Sequence, residues 1–138
     1  MRDVAYIALG SNIGRREVFL AQARRAIGAL EKTRVLGQTE AEETAPLGPV
    51  AQGPFLNQMI AIETELSPQD LLAELKRIEA DAGRIRTGRW GPRTLDLDIV
   101  LFENQSVREP GLTVPHPELS NRDFWLRELT TLRSSRVG

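Results

Sequence analysis

The chain has 138 residues, 41% hydrophobic and 27% charged, with a formal net charge of −1; this suits a single domain over residues 1–138 and lacks the basic surplus that general nucleic-acid binding needs. It has no cysteine and one histidine, which excludes disulfides, iron–sulfur clusters and thiolate zinc sites. No apolar run nears membrane-spanning length and no basic-then-apolar leader opens the chain, so a cytoplasmic protein without a membrane partner is expected.

Residues 3–9 read as a buried first strand. Gly10, Ser11, Asn12, Ile13 and Gly14 then supply the permissive backbone of a strand-to-helix turn. No Gly-Lys-Ser/Thr follows, so this is not a P-loop, and a plain turn and a ligand-facing role both stay open. Over 15–32, Phe19, Ala23, Ala26, Ile27 and Leu30 recur at helical spacing, which predicts a helix laid across a sheet. The span 34–44 is weakly patterned and is expected to be a strand fraying into a loop. Three prolines and two glycines exclude regular structure over 45–54, a natural lid.

Alternation over 55–66 predicts a strand with Leu56, Ile60 and Ile62 on one face and Phe55, Asn57, Met59 and Ala61 on the other. An amide in such a strand needs partners; neighbouring backbone or the edge of a heterocycle would serve Asn57. Ser67, Pro68 and Asp70 are a helix start, Leu71, Leu72, Leu75, Ile78 and Ala82 its buried stripe, and Gly83 its end. Glu79 lies beside that stripe, as a surface ion-pair partner or as an acceptor close to a site.

The most informative stretch is 89–102. From Thr94 the chain alternates, with Leu95, Leu97, Ile99 and Leu101 predicted on a core and Asp96 and Asp98 side by side on the opposite face. Aspartate is disfavoured in strands, and same-face neighbours lie roughly 7 Å apart, close enough for both carboxylates to lean onto one cation site. Oxygen ligands of this kind suit magnesium, which completes its shell with water and substrate phosphate. Arg84, Arg86, Arg89 and Arg93 lie just upstream, and guanidiniums beside metal-binding carboxylates are the pairing expected where a polyphosphate is held. Residues 103–111 then read as a polar turn. Pro115 and Pro117 flank His116 in an extended segment, a last helix runs from 121 to about 132, and 133–138 is expected to be disordered. The order strand–helix–strand–strand–helix–strand predicts an α+β fold: a ferredoxin-like βαββαβ antiparallel sheet with two helices on one face, plus a C-terminal helical extension.

Four ordered segments carry a resemblance: 6–12, 46–49, 89–99, and 113–116 followed by Arg122 and Phe124. Together they resemble the hydroxymethyl-dihydropterin pyrophosphokinases, folate-pathway enzymes that move pyrophosphate from ATP to a pterin alcohol, releasing AMP. The resemblance implies that Asp96 and Asp98 hold two magnesium ions on the ATP phosphates. It implies catalytic roles for Arg84 and Arg93, and ATP binding by these two with Glu79, Ile99, Thr113, His116 and Arg122. The pterin would stack between Phe55 and Phe124, be read by Asn57 and by backbone near Thr44 and Leu47, touch Asp96, and be covered by Trp90. The small-molecule partners implied are ATP and the pterin, and a monomer is expected. The sequence departs from the family pattern at Lys76, where a glutamine is expected, and over 128–138, which lacks a proline-rich continuation. An RNA-binding module with the same strand order is the rival, but its central strands would show basic and aromatic residues where this chain has Asn57, Met59, Asp96 and Asp98. A non-catalytic homologue is the other.

Overall fold

The computed structural model describes residues 2–45, 53–83 and 95–137. In chain order they form β1 (Asp3–Ser11), α1 (Arg16–Gly28), β2 (Thr33–Gln38), β3 (Glu42–Thr44), β4 (Phe55–Thr64), α2 (Pro68–Asp81), β5 (Asp96–Phe102), β6 (Val107–Glu109), β7 (Leu112–Val114), a 3-10 turn at Leu119–Asn121, and α3 (Asp123–Val137). The main sheet is antiparallel, in the order β2-β4-β1-β5, and β3 adds to β4. This is a mixed fold of helices and antiparallel sheet. Among the described residues no helix is long and apolar enough to cross a membrane.

Both faces of the sheet are covered, which is why β1 reads as a nearly unbroken apolar run. On one face Ala5, Ile7, Leu9, Ile60 and Ile62 meet Leu20, Ala23 and Ile27 of α1 and Leu71, Leu75 and Ile78 of α2. On the other, Tyr6, Ala8, Met59, Ala61 and Val100 lie under Trp125, Leu129 and Leu132 of α3. The Ser67 hydroxyl accepts from the Asp70 N–H at 3.1 Å and Pro68 opens the helix, the cap expected for α2.

Several elements differ from the expectation. The first strand runs on to Ser11, and α1 stops at Gly28, short of the expected Lys32, which at φ 52° belongs to the turn into β2. The weak span 34–44 is two strands broken at Thr39, whose N–H donates to Met59 O at 2.9 Å and whose hydroxyl accepts from Met59 N at 3.0 Å. The polar stretch 103–111 contains β6, which forms a hairpin with β7 around Pro110 and Gly111, the latter at φ 82°. The strict alternation predicted for β5 breaks at Val100: Tyr6 faces Leu101 but Ile7 faces Ile99, so Val100 is an extra, bulged residue. Phe102 therefore joins Leu95, Leu97 and Ile99 on the face of α1 and α2, while Leu101 packs towards α3.

Over 133–137, where disorder is expected, α3 continues to Val137, and Gly138 lies outside the described residues. Arg133 supplies the tether, donating to Glu103 through Nε at 3.1 Å, and Glu103 also accepts from the Tyr6 hydroxyl at 2.7 Å.

The inward face of α3 carries one costly group. Glu128 is 3% exposed and both its carboxylate oxygens lack a hydrogen-bond partner. Burial, reinforced by the charge of Glu42 and opposed by Arg127, pushes its pKa up to about 8. The unfolded carboxyl ionises near 4.5, so between about 4.5 and about 8 the unfolded state binds fewer protons than the folded one and stability falls as pH rises. Glu128→Leu is expected to be more stable than the parent by about 1–3 kcal/mol near pH 8, with a flatter pH dependence. Chemical denaturation near pH 5 and near pH 8 checks both.

Candidate active site

β5 is an outer strand of the sheet, and before the bulge its alternation is intact. Asp96 sits opposite Gly10 and Asp98 opposite Ala8, both on the α3 side and both half-buried. Between them the Leu97 N–H donates across the free edge to Glu79 Oε2 at 2.7 Å. Glu79 is 4% exposed and so acts as a buried acceptor. It fastens the end of α2 to the strand at the residue separating the two aspartates.

The bulge serves the site as well. The Val100 carbonyl accepts from the His116 N–H at 2.9 Å, which draws the segment after β7 against β5. The His116 Nδ1 accepts from the Glu118 N–H at 3.0 Å, leaving Nε2 to face Asp98 Oδ1 at 3.7 Å. A cavity of about 370 Å³ follows, lined by Glu79, Asp96, Asp98, Ile99, Thr113 and His116, with Lys76 on its rim.

A second surface lies across the sheet. Asp96, Gly10 and Asn57 stand in one cross-strand row, so Asp96 and Asn57 are two strand spacings, or about 10 Å, apart. Gly10 is the floor between them. A Cβ there would come to 3.3 Å from Asn57 Oδ1 and 3.4 Å from the Phe55 ring, tight enough to disturb both. The Asn57 amide donates to the Thr44 hydroxyl, which turns its Oδ1 towards the bare glycine. The turn after β1 anchors the neighbouring loop end: Asn12 donates to Gly53 O at 3.4 Å, and Arg16 to Pro54 O at 3.1 Å and to Glu43 at 2.6 Å.

The start of α3 is aromatic. The Arg122 guanidinium lies 4.3 Å from the centre of the Trp125 ring, and the His116 ring meets the same indole edge-on at 4.9 Å. Phe124 is further off, at 6.2 Å from Trp125. The Arg122 Nε is buried without a hydrogen-bond partner.

The sequence profile of the 7,8-dihydro-6-hydroxymethylpterin-pyrophosphokinase (HPPK) family matches residues 6–134. The chain belongs to this family. Two relatives, both named 2-amino-4-hydroxy-6-hydroxymethyldihydropteridine pyrophosphokinase, are close to it. The one from Haemophilus influenzae is 44% identical over 133 residues, covering 96% of this chain and 83% of the relative. The one from Bacillus subtilis is 43% identical over 132 residues, covering 96% and 79%. Among solved structures, one described as HPPK-DHPS in complex with substrates superposes with a TM-score of 0.59 at 14% identity, over 79% of this chain and 29% of that one, and so shows the fold.

Against this HPPK frame, the residues singled out from sequence fall into three groups. Glu79, Asp96, Asp98, Ile99, Thr113 and His116 share the cavity, whereas Thr44, Phe55 and Asn57 form the surface across Gly10, and Arg122 and Phe124 stand at the start of α3. Leu47, Arg84, Trp90 and Arg93 lie outside the described residues, as does most of the expected lid over 45–54. The sequence left Gly10 open between a plain turn and a ligand-facing position, because its close approach to Asn57 and Phe55 depends on the strand beside it. It gave Trp125 no role beyond the last helix; the indole lies in register with Leu129 and Leu132 on the buried stripe of α3 and also meets Arg122 and His116.

Because Glu79 holds a buried strand N–H, Glu79→Ala is expected to lower stability by about 1–3 kcal/mol, and Glu79→Gln, which keeps an acceptor, by less. Urea denaturation of the two variants gives the comparison.

Proposed function

We infer that this chain transfers pyrophosphate from ATP to the hydroxymethyl group of 6-hydroxymethyl-7,8-dihydropterin, releasing AMP, a step of folate biosynthesis. Membership of the HPPK family supports the reaction. The observation that carries it to a site is the pair Asp96 and Asp98, side by side on one face of an outer strand and both lining the same cavity. The direct test is nucleotide analysis after incubation with ATP, magnesium and the pterin. Pterin-dependent AMP is expected; ADP, or AMP formed equally without pterin, would overturn the reading.

We propose Asp96 and Asp98 as the ligands of two magnesium ions. Two half-buried carboxylates with an adjoining polar cavity fit an ion that takes one or two protein carboxylates and otherwise water and phosphate oxygens. When bound, magnesium supplies positive charge to the phosphates. The nucleotide would occupy the cavity between α2 and β7, touching Glu79, Ile99, Thr113 and His116, with Arg122 reaching it from the start of α3. The pterin would lie over Gly10, its face against Phe55 and Phe124 and its edge on the Asn57 Oδ1 that the Thr44 bond leaves free. Leu47 and Trp90 would cover it, with Asp96 between the two substrates. The hydroxyl oxygen would attack the β-phosphorus as the bond to AMP breaks, with Arg84 and Arg93 offsetting the charge that develops.

The order β2-β4-β1-β5 with crossovers through α1 and α2 supports a ferredoxin-like split βαβ arrangement, to which α3 adds a layer. We further propose that the chain works as a single-domain monomer in the cytoplasm.

Asp98→Ala is expected to abolish AMP release while the protein stays folded; near-parent turnover in the same assay would contradict the metal assignment. Arg93→Ala is expected to lower kcat by more than about tenfold, since one charged donor aimed at developing charge contributes roughly 2–4 kcal/mol. Steady-state kinetics separates that from a change in KM.

A further inference from the structure

One indole ring, that of Trp125, touches both the Arg122 and the His116 side chains. Trp125 is 2% exposed and sits in the first turn of α3, packed with Tyr6, Ala8, Met59 and Val100. Its ring is therefore fixed to the sheet. The Arg122 guanidinium rests over it at 4.3 Å, a distance at which a cation is attracted to the π face. The His116 ring abuts it at 4.9 Å with the planes 85° apart, an edge-to-face contact. The His116 backbone is fixed by its N–H bond to Val100 O, while the ring accepts from Glu118 N at Nδ1 and turns Nε2 towards Asp98. Arg122 has no such backing: its buried Nε lacks a hydrogen-bond partner, so the indole is the contact that orients it.

We propose that Trp125 is a positioning residue of the nucleotide site, holding Arg122 and His116 on one immobile ring so that both are set before ATP arrives. The inference rests on the reading of Arg122 and His116 as ATP-binding residues. Its physical content is pre-organisation: a long side chain that must be immobilised on binding weakens the complex, and a platform that orders it beforehand removes that cost. For two side chains the combined effect is about tenfold in affinity.

The test measures the Kd of a non-hydrolysable ATP analogue with magnesium by calorimetry, with thermal unfolding run on every variant. Trp125→Met, which fills the space without a π face, is expected to raise Kd about tenfold. Trp125→Phe, which keeps a ring, should stay within about threefold of the parent. In an Arg122→Ala/His116→Ala background Trp125→Met should add less than about twofold, because the groups it positions are gone. Parent-like binding by Trp125→Met, equal losses for Met and Phe, or an undiminished loss in the double-variant background would each overturn the proposal. If Arg122→Ala/His116→Ala itself binds the nucleotide like the parent, the ATP-site reading fails and this inference fails with it. If that background loses affinity while Trp125→Met does not, this inference alone fails. Should the methionine variant not fold, Trp125→Leu takes its place.

Discussion

An outer strand leaves the backbone groups on its free side without ladder partners, and β5 is such a strand. Two of those groups organise the site. The Leu97 N–H is taken by Glu79 from α2, and the carbonyl of the bulged Val100 by the His116 N–H after β7. The two bonds bracket Asp98, one on each side along the strand. They bring a helix and a loop, distant in sequence, to the same short stretch of backbone and close the cavity beside the aspartates. An edge that would otherwise invite pairing with another chain is thereby occupied by the molecule's own acceptors and donors.

The bulge has a further consequence for charge. Had β5 kept period two throughout, Leu101 would have continued the core face and Val100 would have lain in ladder register. The extra residue restores Phe102 to the core while allowing Asp96 and Asp98, which precede it, to stay on the α3 side. Two carboxylates can thus sit on a strand otherwise buried on both faces, since the sheet opens at that end. The row Asp96, Gly10, Asn57 spans about 10 Å over a floor with no side chain.

α3 joins stability to the site. Its inner stripe of Trp125, Leu129 and Leu132 closes the second face of the sheet, and its first turn carries Phe124 beside Arg122. The same helix bears Glu128, a buried carboxyl with no partner. That burial costs stability, and proton binding at Glu128 offsets part of the loss below its raised pKa.

Local pattern was sufficient for much of this. Period two marked β4 and β5, the Ser67–Pro68 cap marked α2, and aspartates at alternate positions on a strand marked the face that lines the cavity, because each depends only on neighbours in the chain. The motif over 89–99 gave the family for the same reason. Other features depended on partners far along the chain. The bulge at Val100 exists only in relation to Tyr6 and Ile7, and Glu79 is a buried acceptor only because β5 offers an N–H there. Likewise, the burial of Glu128 and the double contact of Trp125 follow from where α3 lands on the sheet. Periodicity says which face a side chain takes; what that face meets is decided by packing, and only the tertiary structure holds that information.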